Sequence, residues 1–258
     1  MGRGIAHAFA YAGHEVVLID AKPRAAAAAD ALRAEAFAEI RASLTALAEA
    51  GGFDAREIEP ILARVRFAAR EEAAAALAGV DFLFEGVPEV LEAKRDAFAF
   101  ACRHLHADAV VASTTSTMLS TQLAQLVSNP QRFLNCHWLN PAYLIPLVEL
   151  SPHEGTDRAV IGRMQQLLEG IGKKPVECKA APGYIVPRLQ ALVMNEAARM
   201  VEEGVASAED VDRAVRYGFG IRYATMGVVE FIDYGGLDIL YYASHYLAQA
   251  LGEPRFEP

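Results

Sequence analysis

Hydrophobic and polar positions follow two different periods along the first two thirds of the chain and only one in the remainder. Ile5, Ala8, Phe9 and Ala12 recur at helical spacing, so residues 1–12 predict a helix. Gly13-His14 breaks that pattern ahead of the apolar run Val16–Ile19, which predicts a buried strand. Residues 25–50 are rich in Ala, Leu, Glu and Arg and favour one long helix that Gly51-Gly52 ends. A further helix is expected over 55–62. Short apolar runs predict strands at 65–67, 82–85 and 109–112, with helices at 71–77 and 92–102 between them. Strands at 132–138 and 147–150 and a helix at 157–171 that Gly172 terminates complete this part. Beyond Pro182-Gly183 only helical spacing is found: 186–203, then a helix opening at 208 behind the cap candidate Ser207, then 239–251.

Strands alternating with helices predict a mostly parallel sheet covered on both faces, an α/β fold of Rossmann type followed by an all-α domain. The boundary is expected near residue 181, giving a nucleotide-binding domain over 1–181 and a helical domain over 182–258.

Composition narrows the function. With 53% hydrophobic and 22% charged residues among 258, the chain has the balance of a soluble globular protein. A formal net charge of −9 opposes association with nucleic acid or an anionic membrane, so a small organic substrate is the expected partner. No apolar run approaches the roughly 20 residues needed to span a bilayer. Cys102, Cys136 and Cys178 are odd in number and widely spaced, which suits neither a disulfide framework nor a metal site. A reducing cytoplasm is expected, and no metal is assigned.

Met1-Gly2-Arg3-Gly4-Ile5-Ala6, followed by Asp20 at a strand end, is the tail of a dinucleotide-binding fingerprint. In that motif the last glycine permits close packing of helix on strand, the helix N-terminus faces a pyrophosphate, and the acidic residue accepts the ribose hydroxyls. The full motif opens with a strand and earlier glycines. The chain starts past them, so the first strand of the sheet is expected to be missing.

The chain resembles the 3-hydroxyacyl-CoA dehydrogenase family. Met-Gly-x-Gly-Ile-Ala, Gly-His-x-Val-x-Leu-x-Asp, Ser-x-Thr-Ser, His-x-x-Asn-Pro, Leu-Val-Glu and Pro-Gly-Tyr-Ile-Val occur in the family's order from residue 1 to about residue 251. The resemblance implies NAD as cofactor, a homodimer built on the helical domain, and a last segment lost from this chain. It also implies catalytic roles for Ser116, His137 and Glu149. The family's fourth catalytic residue, an asparagine, falls at Pro187, so its side-chain hydrogen bond cannot be made. On the cofactor side the resemblance points to Gly2, Gly4, Asp20, Glu89, Lys94, Ser116 and Asn140. An acidic Asp20 favours NAD over NADP because a 2′-phosphate would be repelled, although Lys22 and Arg24 lie close by.

The residue types suit alcohol oxidation. A base must take the hydroxyl proton while hydride leaves, and histidine titrates in the right range. His137 is that base in this reading. Glu149 would orient its ring and stabilise the imidazolium, and Ser116 would hydrogen-bond the reacting oxygen. The remaining histidines, among them His7, read as structural. Ser116 could instead cap the next helix. The expected reaction is oxidation of the 3-hydroxyl of a 3-hydroxyacyl-CoA.

Two local features resemble the branch of L-gulonate 3-dehydrogenase (lambda-crystallin) and L-carnitine dehydrogenase: residues 140–146 and the loop Gly218–Ala224. A free 3-hydroxy acid would give Arg222 a carboxylate to bind, unless that arginine pairs with Glu230 or Asp233 on the surface. A non-catalytic crystallin-like scaffold is a third reading.

Overall fold

Seven strands and the helices between them occupy the first of two units, Met1–Arg188 and Leu189–Pro258, in the computed structural model, which describes residues 1–258. α1 (Gly2–Tyr11) buries Ile5, Ala6, Ala8, Phe9 and Ala10 and leads into β1 (Val16–Ile19). α2 (Ala26–Glu49) is the long helix expected from its composition, and it buries one narrow stripe, Ala36, Ile40 and Leu44. After α3 (Ile58–Leu62), β2 (Val65–Ala68) pairs with β1 in parallel, Val16 opposite Val65.

β3 (Phe82–Glu85), β4 (Val110–Ser113) and β5 (Phe133–Trp138) form a second, parallel ladder, crossing over through α5 (Leu91–Ala101) and the short α6 (Ser120–Leu123). α4 (Ala73–Leu77) lies between β2 and β3 in sequence and buries Ala73 and Leu77. β6 (Leu147–Pro152) is antiparallel to β5. The reason is length: residues 139–146 are too few for a parallel crossover, which needs a dozen or more. α7 (Arg158–Gly170) then returns the chain to β7 (Lys174–Glu177), parallel to β6 at the sheet edge. β7 escapes the sequence reading because Lys174, Pro175 and Glu177 break any apolar alternation, as edge strands often do.

The sheet is therefore mostly parallel, but it is in two pieces. β1 pairs only with β2, and β3 pairs only with β4. Between the facing edges of β1 and β3 lies a cavity of about 1440 Å³ lined by Val16–Ile19, Phe82–Glu85, Ile5 and Phe9 of α1, and Ala97 and Ala101 of α5. Every residue of β1 is only half-buried, whereas β4 and β5 are buried throughout. The apolar run Val16–Ile19 predicts a buried strand; it is only half-buried because one of its flanks lacks a neighbour.

The helical unit holds most of α8 (Val186–Glu202), with α9 (Ala208–Ala214), α10 (Ile221–Tyr223), α11 (Val228–Gly235) and α12 (Leu237–Leu251). Ser207 caps α9 through the Asp210 amide at 3.1 Å. Residues 215–220 wind as a π-helical segment, and α11 was not separable from its neighbours by pattern. Leu192, Met194, Leu237, Ile239, Tyr242 and Tyr246 are exposed. No helix is long and apolar enough to cross a membrane, and all three cysteines are free.

Candidate active site

β5 alternates strictly. Leu134, Cys136 and Trp138 enter the core packed by α1 and α7, so Asn135 and His137 must point to the opposite face. Glu149 is the direct cross-strand partner of His137. Its Oε2 lies 2.8 Å from the imidazole Nδ1, and its Oε1 accepts the backbone amides of Ile185 and Val186, each at 2.8 Å. This carboxylate is fully buried, and its hydrogen bonds compensate the loss of water. On the other side of the ring, Nε2 lies 3.2 Å from the Ser116 hydroxyl. The structure thus brings Ser116, His137 and Glu149 into one line. Ser116 does not cap the next helix, since α6 starts at Ser120 behind Leu119.

The loop that carries Ser116 follows β4 and is organised by Glu89. One Glu89 oxygen accepts from the hydroxyls of Thr115 and Thr117 and from the amides of Ser116 and Thr117. The other meets Lys94 Nζ at 3.1 Å. Burial works against charge on Glu89, but these hydrogen bonds and the Lys94 ammonium outweigh it and bring its pKa down to about 2. Lys94 itself is wholly buried and also binds both Glu85 oxygens at 3.0 Å, while Ser113 donates to Glu85. Glu89 and Lys94 therefore form a network beneath the Ser116 loop, with Glu85 as a member that the sequence reading missed.

Gly2 and the N-terminus of α1 abut the ends of β3 and β4: a Cβ on Gly86 would meet Gly2 N at 3.4 Å and Thr114 Oγ1 at 3.7 Å. The amides of the first helical turn have no partner within the helix, and nothing lies within 4 Å of the Gly2 Cβ position. Gly4 differs from expectation. A Cβ there would lie 3.2 Å from Ala142 Cβ, so the close approach it permits is between α1 and the loop after β5, not between helix and strand. Asp20 follows β1 and is buried, its carboxylate taking the Lys22 amide at 3.1 Å and Arg24 Nε at 2.6 Å. Asn140 is exposed on the loop after β5. Lys173 holds that loop, donating to the carbonyls of Ala142 at 2.6 Å and Ile145 at 2.8 Å.

Arg222 belongs to the helical unit, on α10. Its guanidinium stacks 4.2 Å above the Phe231 ring, while Glu230 accepts the Gly227 amide. The pairing with Glu230 or Asp233 considered from sequence is replaced by a cation–π contact. Pro187 lies in the first turn of α8, half-buried, where it lacks an amide that the helix would leave unpaired in any case.

The half-motif at α1, the acidic residue after β1 and the hydrogen-bonded Ser116–His137–Glu149 line beside β4, β5 and β6 are the features of a dinucleotide-binding α/β fold. The chain belongs to the 3-hydroxyacyl-CoA dehydrogenase family. Residues 1–181 match its NAD binding domain and residues 183–258 its C-terminal domain. The chain is 32% identical over 248 residues to 5-formyl-3-hydroxy-2-methylpyridine 4-carboxylate 5-dehydrogenase of Mesorhizobium japonicum, covering 96% of this chain and 76% of that one. It is 32% identical to 3-hydroxybutyryl-CoA dehydrogenase of Bradyrhizobium diazoefficiens, covering 100% and 84%. A 3-hydroxyacyl-CoA dehydrogenase from Archaeoglobus fulgidus superposes with a TM-score of 0.76 at 33% identity, over 100% of this chain and 80% of that one. The protein is an NAD-dependent oxidoreductase acting on a hydroxyl group.

Proposed function

We propose that the chain oxidises the 3-hydroxyl of a 3-hydroxyacyl-CoA, such as 3-hydroxybutyryl-CoA, with His137 as general base. The observation that carries this reading is the His137 ring, bonded to Glu149 at one nitrogen and to Ser116 at the other. Glu149 accepts the Nδ1 proton, so Nε2 carries the lone pair, which accepts from the Ser116 hydroxyl in the structure and would take a proton from an alcohol placed between the two. The imidazolium that results stands against a buried carboxylate whose second oxygen is already held by two amides. Ser116 donates to the substrate oxygen as its proton leaves.

The residues fit the cofactor. Free amides at the N-terminus of α1 suit a pyrophosphate, Asp20 ends β1 where a ribose is read, and Gly2 leaves room. NAD bound there would accept the hydride. Glu89 and Lys94 would act by shaping the Ser116 loop, and Asn140 would line the nicotinamide half. Twofold pairing through the exposed apolar residues of the helical unit is the assembly we propose.

A second reading keeps the chemistry and changes the substrate to a free hydroxy acid, with Arg222 binding its carboxylate; the exposed guanidinium supports it. The test is NADH formation with 3-hydroxybutyryl-CoA, L-gulonate and carnitine, for the native chain and for His137→Gln. Turnover of the acyl-CoA that His137→Gln abolishes is expected. Equal turnover by the two proteins would overturn the role of His137, and preference for a free acid would select the second reading.

A further inference from the structure

The turn after Cys178 meets His137, Glu149 and the residue before Ser116, and Tyr184 is its centre. The Tyr184 ring lies parallel to the His137 imidazole, 9° between planes and 4.7 Å between centroids. Its hydroxyl donates to the Thr115 carbonyl at 2.7 Å, one residue before Ser116, and accepts from Asn135 Nδ2 at 3.0 Å, two residues before His137 on β5. The next two amides, Ile185 and Val186, are the ones that hold Glu149. Tyr184 itself sits at a φ of 45° behind Gly183, a backbone conformation that bulky side chains seldom adopt. Burial raises the phenol's pKa, so the hydroxyl remains a donor wherever the enzyme works.

We infer that Tyr184 is a positioning residue that fixes the plane of the His137 ring and, through the Thr115 carbonyl, its distance from Ser116. The Glu149 and Ser116 bonds hold the two ring nitrogens, but the ring plane can still tilt about the line through them. Stacking removes the tilt and aims Nε2 at the serine hydroxyl. The phenol hydroxyl then ties the serine loop to β5, so that the base and the serine move as one body. Phenylalanine would keep the stack and drop the tie, leaving the Thr115 carbonyl without the Tyr184 donor.

This inference rests on His137 acting as the base, and the experiment separates the two claims. Tyr184→Phe and Tyr184→Leu are compared with the native chain by thermal melting, by steady-state kinetics, and by NMR of ring-labelled histidine with His137→Gln as the assignment control. Native His137 ring protons are expected upfield, shielded by the Tyr184 ring. Tyr184→Phe should keep that upfield position and lose about fivefold in kcat, the worth of one hydrogen bond, with KM for NAD unchanged. Tyr184→Leu should lose the upfield position and fall roughly a hundredfold in kcat, the cost of a misplaced catalytic group. His137 resonances equal in Tyr184→Leu and native protein would overturn the stack. If Tyr184→Leu does not fold, native kcat in Tyr184→Phe would by itself overturn the tie. Absence of turnover by the native chain would instead refute the proposed reaction, and the resonance comparison would still decide the position of Tyr184.

Discussion

Glu149 stands directly opposite His137 in the antiparallel register of β5 and β6, and its two oxygens divide their work: one meets the imidazole at 2.8 Å, the other takes two amides from the start of α8. Directly paired residues on adjacent antiparallel strands have Cβ atoms about 4.5–5.5 Å apart. A glutamate therefore reaches the neighbouring ring without strain, and register alone makes the pair.

Glu149→Gln tests what the charge contributes. The amide oxygen can still accept from Ile185 and Val186, but an N–H would then face Nδ1. The imidazole must turn to its other tautomer, with the proton on Nε2, and that nitrogen can no longer accept one from an alcohol. A fall in kcat of about 10²–10⁴ is expected, with little change in NADH binding. Turnover within a few-fold of native would remove Glu149 from the proton path.

Asp20→Ala tests nucleotide choice. The carboxylate holds Arg24 at 2.6 Å, so its removal loses a ribose acceptor and also releases a guanidinium. The ratio of NADH to NADPH affinity should fall by roughly tenfold, about the worth of one charge-assisted hydrogen bond. Fluorescence titration with both nucleotides measures it. Unchanged affinities would mean that Asp20 serves only to close its own loop.

His7 should make the fold acid-sensitive. It is buried on α1, stacked 4.5 Å from the Tyr143 ring and 2.6 Å from the Ser43 hydroxyl, and burial, with the Lys173 charge adding to it, lowers its pKa to about 4. As pH falls from about 6.5, the unfolded chain binds a proton that the folded chain refuses, so stability drops until the folded pKa is reached near pH 4. The slope is at most about 1.4 kcal/mol per pH unit in that window. Glu89, lowered to about 2, contributes stability that is lost only at more acid pH, as it falls below the ordinary glutamate value of about 4.3. Melting curves of His7→Gln should be flatter between pH 6.5 and 4 than those of the native chain. Parallel curves would assign the acid sensitivity to other groups.

The cavity between β1 and β3 should accept one strand. The start of α1 lies beside Gly86 and Thr114, just past the ends of β3 and β4, so a segment leading into α1 through this gap would run parallel to β3. Fusing a continuously apolar strand and a Gly-x-Gly turn ahead of Met1 should raise the melting temperature and enlarge the stabilisation by NADH. Strand edges now unpaired would gain ladder hydrogen bonds at about 1 kcal/mol each, and the cofactor's stabilisation would follow its affinity. An extended chain that melts no higher and responds no more to NADH would show that the two sheets do not admit a strand.

Much of the fold was legible in the amino-acid sequence because its signals are local. Val16–Ile19 and Phe82–Glu85 announce strands by composition, Gly51 and Gly172 end helices at positive φ, and Ser207 caps α9. The motif order around Ser116, His137 and Glu149 picked out three side chains that the fold brings into one hydrogen-bonded line, since each motif is a short run with its own pattern. Contacts between residues far apart in sequence were beyond that reach. Tyr184 meets Thr115 across 69 positions and Glu149 meets Val186 across 37. The burial of Lys94, the approach of Gly4 to Ala142 and the parting of β1 from β3 likewise depend on which elements pack together. A residue's period can say which face it occupies, but what stands opposite that face is decided only when the chain closes on itself, because packing and hydrogen bonding act through space and not along the sequence.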